Sequence, residues 1–243
     1  MNKLKLNISL VIPCFNEEGN INSLINKSKN FLRNKNNQLI LVNNGSTDNT
    51  KKKILSNVKK YRNIYFVNIN KNIGFGYGLK KGLEKGKNSI LAYTHADLQT
   101  DPNDVLRGVK FLSKFDIKKN NFFIKGFRAN KVKNSWSFFD IFLTTSMSIY
   151  NTILFRVILT DIHAQPVIFP KKFFKSINYF PNDMMFDVWI YLLAKKRGFN
   201  IKRFNVIFDR KGRVYGNGSN DSLLKNIKNI YIHLMGSLKL LIK

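Results

Sequence analysis

Residues 89–102 read SILAYTHADLQTDP: an apolar run ending at Tyr93, then His95, Asp97, Gln99 and Asp101 in alternation, closed by Pro102. A short apolar run bounded by turn residues reads as a buried strand. Residues two apart on an extended segment point the same way, so His95, Asp97 and Gln99 can face one site together. An imidazole, a carboxylate and an amide oxygen can share a divalent cation with diphosphate oxygens. Mg²⁺ favours oxygen ligands and keeps phosphates in its shell, whereas Mn²⁺ accepts His more readily. The same stretch also reads as a polar turn capped by Asp101 and Pro102.

Working outward, residues 7–15, 38–42 and 63–67 are further buried-strand patterns, and helical spacing fills 17–31, 48–58 and 76–85. Strands alternating with helices imply a parallel sheet with helices on its faces, so the fold class is α/β. Ligands in such sheets bind at the carboxyl ends of the strands, where the polar clusters follow. One cluster, after the first strand, includes Pro13, Phe15 and Glu17. Another, after the second, holds Asn43, Asn44, Gly45 and Ser46. An amide there can pair with a base edge, and Gly45 lets backbone approach a ligand; alone, each cluster is also a turn with a helix cap. Residues 72–78, NIGFGYG, fall short of a G-x-G-x-x-G dinucleotide fingerprint and lack its acidic partner downstream. In the second half, strands are expected at 122–126, 166–170 and 201–208, and helices at 135–159 and 186–196, the latter stopping near Gly198. A Gly-rich basic loop covers 211–220. Residues 222–243 form a basic amphipathic helix with Leu223, Ile227, Ile230, Tyr231, Leu234, Leu238 and Leu241 on one stripe. The expected organisation is one domain over 1–220 and the helix over 221–243.

The chain has 243 residues and is 44% hydrophobic, enough for a packed core and against a disordered protein. Its single cysteine, Cys14, lies in an apolar run, reads as a small buried hydrophobe and fits a reducing compartment. The formal charge of +28 attracts anions such as nucleotides or acidic headgroups, although an AT-rich coding sequence also raises Lys, Asn and Ile together. No zinc spacing, helix-turn-helix or RRM signature accompanies the charge, so nucleic acid is not an expected partner. Pro13, Glu17 and Glu18 break the first apolar run too early for a signal peptide. No uninterrupted apolar window reaches spanning length. The nearest, 138–159, is interrupted by Asp140 and Arg156, and suits a membrane interface or the core.

Taken in order, the clusters resemble family 2 glycosyltransferases, in particular those acting on polyprenyl phosphates. LVIPCFNEEGNI (10–21) resembles the family's first strand and nucleotide loop, and VNNGSTDNT (42–50) its VDDGSTDNT. NIGFGYGLKKGL (72–83) is similar to the segment before the metal strand, and THADLQTDP (94–102) to DADLQ-x-DP. KGFRANK (125–131) is similar to the G-x-R segment and DIHAQPVIFPKKFF (161–174) to the acceptor-side segment. Residues 186–219 resemble F-D-x-x-x-x-x-x-A-x-x-x-G-Y, a strand, and R-x-x-G-x-S. Any one motif is weak; the ordered set spans about residues 7–220.

The resemblance implies a GT-A domain that binds a nucleoside-diphosphate sugar through Mg²⁺ or Mn²⁺. It would transfer the sugar with inversion to a polyprenyl-phosphate or glycan acceptor, in cell-envelope polysaccharide synthesis. It implies Asp97 as principal metal ligand with Gln99 and His95 beside it, and Pro13, Phe15, Glu17, Asn43, Asn44, Gly45, Ser46 and Asp97 as donor-binding residues. Arg128 and Arg210 would handle anions, Asp161 and Gln165 would line the acceptor site, and Asp187, eleven residues before Gly198, would be the catalytic base. The expected location is cytoplasmic, peripheral on the membrane face. Two departures stand out: His95 replaces the first Asp of the metal motif, and Asn43 and Asn44 replace two Asp. A neutral His brings no negative charge, and an amide donates where a carboxylate only accepts. A weakly active or silent sugar-nucleotide-binding relative is therefore the alternative.

Overall fold

The computed structural model describes residues 6–110, 112, 121–129, 136–208 and 223–243, with side chains of the last segment from residue 227. Arg210, the loop at 211–220 and the boundary expected at 220/221 lie outside the described residues.

The first half runs β1 (Ile8–Cys14), α1 (Ile21–Lys27), α2 (Lys29–Leu32), β2 (Gln38–Asn44), α3 (Thr50–Val58), β3 (Ile64–Ile69), α4 (Phe75–Lys85), β4 (Ile90–Tyr93) and α5 (Asp104–Val109). The second runs β5 (Phe122–Arg128), α6 (Phe138–Phe155), β6 (Val167–Pro170), α7 (Lys171–Lys175), α8 (Met185–Lys196), β7 (Asn200–Val206) and α9 (Leu223–Leu240). Among the described residues the strands form one seven-stranded sheet in the order β3-β2-β1-β4-β6-β5-β7. β1 pairs in parallel with β2 and β4, β2 with β3 and β5 with β7; β6 runs antiparallel between β4 and β5. Six strands therefore end on one edge, the α/β arrangement expected from the alternation.

β1 and β2 are buried along their whole length, because apolar side chains cover both faces. Ile8, Leu10 and Ile12 pack with α1 and α3 side chains on one face, while Val11, Tyr93, Phe123 and Phe169 meet α4 and α8 on the other. α4 lies so close to β1 and β2 that a Cβ on Gly82 would sit 2.3 Å from Val11 Cγ1. The glycines of the 72–83 segment thus serve helix packing.

The 17–31 helix is divided in two. Ser28 Oγ bonds back to Leu24 O at 2.8 Å, and Asn103 enters at the break, donating to Lys27 O and accepting from Phe31 N. α6 starts at a Ser137/Asp140 capping box and stops at Phe155, because Arg156 takes a left-handed conformation (φ 53°); it does not reach 159. α6 meets the length and composition of a membrane-crossing helix and is mostly exposed, which a search for unbroken apolar runs passes over.

α9 docks through its polar side. The face docked on the domain carries His233, Ser237 and Leu240, while Ile227, Tyr231, Leu238 and Leu241 of the apolar stripe are exposed. The reason is polar complementarity: Ser237 Oγ donates to Asn151 Oδ1 of α6 at 2.8 Å, and Tyr150 Oη donates to Leu234 O at 3.2 Å.

Candidate functional site

The loops after β1 and β2 are laced together at the carboxyl edge. Ser46 Oγ accepts from Asn16 N at 3.2 Å, Asn16 Oδ1 accepts from Thr47 N at 2.9 Å, and Thr50 Oγ1 accepts from Glu17 N at 2.8 Å. Gly45 makes this possible with φ 74°, in a place where a Cβ would lie 2.2 Å from Asn72 N. Pro13 is the penultimate residue of β1, paired with Val42, and Phe15 stands exposed beyond it. Asn43 and Asn44 are buried and occupied. Asn43 Nδ2 donates to Asn68 Oδ1 at 2.9 Å and its Oδ1 accepts from Ser46 N at 3.3 Å; Asn44 Nδ2 donates to Gly74 O at 3.1 Å, leaving its Oδ1 buried without a hydrogen-bond partner. Cys14 is fully buried; burial and the charges of Glu17 and Asp48 push its thiol up, so it is no thiolate nucleophile.

Beyond β4 the chain turns instead of staying extended. Leu98 adopts φ 63°, Asp97 Oδ1 accepts from Gln99 N at 3.1 Å, and the Thr94 and Thr100 hydroxyls meet at 3.3 Å. The two-residue alternation therefore does not carry past Tyr93; His95, Asp97 and Gln99 lie in a turn and not on a strand. Burial pushes the His95 imidazole below its ordinary value against the pull of Asp97 and Asp187, so it is neutral and holds a ring-nitrogen lone pair. Among the described residues no three His, Cys, Asp or Glu converge as a metal cage.

Across β6 lies a second charged group. Arg128 N and Nε donate to Asp161 Oδ2 and Oδ1 at 2.8 and 2.6 Å, and Nη2 joins the same carboxylate. The guanidinium is also flanked by the rings of Trp136 and Phe208, 4.9 and 5.5 Å from their centroids. Arg128 and Asp161, expected as separate anion-handling and acceptor residues, are thus one buried ion pair. Gln165 is buried with neither amide atom hydrogen-bonded. Lys125, on the strand flanking them, is fully buried and donates to the carbonyls of Ile162 and Ala164. Burial lowers its pKa to about 7 despite Asp187 and Asp161.

Asp187, at the start of α8, has no exposed side-chain surface. Tyr93 Oη donates to its Oδ1 at 2.6 Å, and His163 Nδ1 lies 3.1 Å from its Oδ2. Burial opposes its charge, but the His163 hydrogen bond, the His163 and Lys125 charges and the Tyr93 bond together hold the carboxyl below the usual range. Tyr93, Lys125 and His163 are the residues the sequence reading missed. Lys125 was signalled by a cation in mid-strand after the apolar run FFI (122–124).

A sheet edge of this kind, with the loops after β1, β2 and β4 gathered on it and charged groups facing them across β6, is that of a GT-A fold. The model for glycosyl transferase family 2 matches residues 9–165, and the chain belongs to that family. It is 29% identical over 104 residues to a dolichyl-phosphate beta-glucosyltransferase of Trichomonas vaginalis, covering 40% of this chain and 32% of that protein. It is 29% identical over 133 residues to the dodecaprenyl-phosphate galacturonate synthase of Rhizobium johnstonii, covering 52% of this chain and 37% of that one. The chain thus spans about a third of the length of these relatives. Its fold matches glucosyl-3-phosphoglycerate synthase of Mycobacterium tuberculosis, solved with Mn²⁺, UDP-glucose and phosphoglyceric acid, with TM-score 0.71, 18% identity, and coverage of 97% of this chain and 79% of that one.

Proposed function

We propose that the protein transfers a sugar, with inversion, from a nucleoside-diphosphate sugar to an acceptor oxygen of a polyprenyl phosphate or a glycan, at a membrane surface. The observation that carries the reading is the gathering of the β1, β2 and β4 loops at one sheet edge, with Asp97 in the turn after β4. The donor's base and ribose would lie against Pro13, Phe15, Glu17, Asn43, Asn44, Gly45 and Ser46. The donor set at the β4 turn suits Mg²⁺ or Mn²⁺: one carboxylate, a neutral imidazole and an amide oxygen leave the other positions to phosphate oxygens and water. Bound there by Asp97 with His95 and Gln99, the ion would neutralise charge on the departing diphosphate.

Gln165, an amide with no partner among the described residues, suits the acceptor side, and the Arg128–Asp161 pair would fix the wall beside it; Arg210 would add an anion contact. Asp187, buried behind His163, is the acidic group on this side of the site. Membrane attachment would use the exposed apolar faces of α6 (Phe138, Phe142, Ile149, Ile153) and α9 (Tyr231, Leu238, Leu241), set in a chain of net charge +28. This reading places the protein in the cytoplasm, peripheral on the membrane.

A thermal-shift series with UDP-, GDP- and dTDP-sugars, with and without Mn²⁺, tests the donor site, because a tight ligand raises the melting temperature by mass action. Transfer is expected from one donor in wild type and to be abolished in Asp97→Asn. Binding with no turnover in either Mg²⁺ or Mn²⁺ would instead identify a silent relative, and full activity in Asp97→Asn would remove Asp97 from the metal role.

A further inference from the structure

The three histidines of the chain come from three separate parts of the sequence: His163 bonds to Asp187, His95 feels its charge, and His233 packs on the His163 ring. The hydrogen bonds settle the protonation of two of them. Asn151 Nδ2 donates to Met147 O at 2.7 Å and Asn151 Oδ1 accepts from Ser237 Oγ, which fixes which amide atom is which. The contact of 3.0 Å between Asn151 Nδ2 and His233 Nε2 therefore has the amide as donor, so His233 carries its proton on Nδ1 and is neutral. Burial and the His163 charge push its pKa down to about 3, in keeping with that role.

His163 is held the other way. Asp187 is a carboxylate and can only accept, so the proton of the 3.1 Å contact sits on His163 Nδ1. Its Nε2 is then the ring atom with a lone pair in the neutral form, and it has no hydrogen-bond partner among the described residues. The His163 side chain keeps 26% of its surface exposed, against none for Asp187. The neutral His233 ring packs edge-on against it at 5.4 Å, adding no charge. Asp187 has one oxygen on Tyr93 and the other on His163, and no solvent path, so a substrate hydroxyl meets the imidazole first.

We propose that His163 is the catalytic base, with Asp187 a positioning residue behind it, and that the acceptor is a glycan hydroxyl, carried on a lipid or not, in place of a phosphate. This rests on the glycosyl-transfer reading above and names its acceptor class. As the acceptor oxygen forms its bond to the anomeric carbon, its proton passes to His163 Nε2. The bond from that carbon to the diphosphate breaks, and its electron pair leaves with the nucleoside diphosphate. The imidazolium charge is balanced across the Nδ1–H by Asp187, and the proton returns to solvent after product leaves. An orienting carboxylate behind an imidazole base is the logic of the hydrolase triads. A phosphate acceptor, already anionic, has no need of it.

Two measurements on the full chain separate this from the reading beneath it. With only three histidines, ¹⁵N-imidazole NMR resolves each ring. We expect one downfield Nδ1 proton, lost in both His163→Gln and Asp187→Asn and kept in His233→Gln; a His163 ring protonated on Nε2 alone overturns the assignment. Hydrolysis of UDP-glucose, GDP-mannose and dTDP-glucose in Mn²⁺, with water as the hydroxyl acceptor, is expected to fall about 10²- to 10⁴-fold in kcat for His163→Ala. Donor KM should stay unchanged, and added imidazole should partly restore the rate. Wild-type turnover in His163→Ala, or glucosylation of undecaprenyl phosphate by it at the wild-type rate, overturns the base assignment and leaves the glycosyltransferase reading standing. Failure of all three donors to bind wild type sinks that reading, and the NMR result then decides the dyad alone.

Discussion

Asp161→Asn tests the buried ion pair with little else disturbed. Asp161 has φ 47°, and Asn tolerates the left-handed region about as well as Asp, so backbone strain does not confound the change. The isosteric amide still offers one oxygen to Arg128 but removes the charge that balances it. Both partners are buried, Arg128 at 8% and Asp161 at 4% exposure, and Arg203 adds a second cation 3.8 Å from the same carboxylate. Removing one partner of a buried pair costs about 3–5 kcal/mol, because the remaining charge is left uncompensated. The retained acceptor puts Asp161→Asn near the lower end, about 3 kcal/mol. For a chain of 243 residues that is a fall in Tm of about 6–12 °C. Urea unfolding followed by circular dichroism, on Asp161→Asn, Arg128→Met and the double variant, gives the coupling directly. A loss within about 1 kcal/mol, as for exposed pairs, would refute the placement of this pair in the interior.

Lys125 predicts a slope on the alkaline side. Its folded pKa of about 7 lies below the unfolded value near 10.4, so folding disfavours its charged form; the cost is full below about pH 7 and fades as pH rises toward 10.4. The stability of wild type relative to Lys125→Met should therefore rise by about 2 kcal/mol between pH 7 and 9 in urea melts, and parallel profiles would exclude it. The neutral amine keeps two N–H donors, matching the two carbonyls of Ile162 and Ala164. Tyr93→Phe removes one of the bonds that hold the Asp187 carboxyl below its usual range. Stabilisation from that depressed group is present above about pH 4 and is lost as pH falls through the folded value. The variant should lose about 1.5–3 kcal/mol at pH 7, with the deficit shrinking in acid; a deficit unchanged down to the lowest pH at which the fold persists would contradict this.

The carboxyl edge was legible because it depends on period and punctuation. Apolar runs ending at Phe15, Val42 and Tyr93 set three parallel strands, and polar residues after them had to gather where the strands end. What lay beyond Tyr93 was not legible, since an alternating run of polar residues has no way to announce that Leu98 goes left-handed. The pairings were hidden for a related reason. Asp161 and Arg128 are 33 residues apart and Tyr93 and Asp187 are 94 apart, so only the crossing of β6 between β4 and β5 brings them together. α9 carries the sharpest consequence. A reading that assigns the apolar stripe to the core assumes that burial is driven by apolar area. Here Asn151, His233 and Ser237 satisfy one another, so a polar face can be buried at little cost and the apolar stripe is left facing out. The same polar seam packs the His233 ring against His163, so the helix docked on α6 also borders the site.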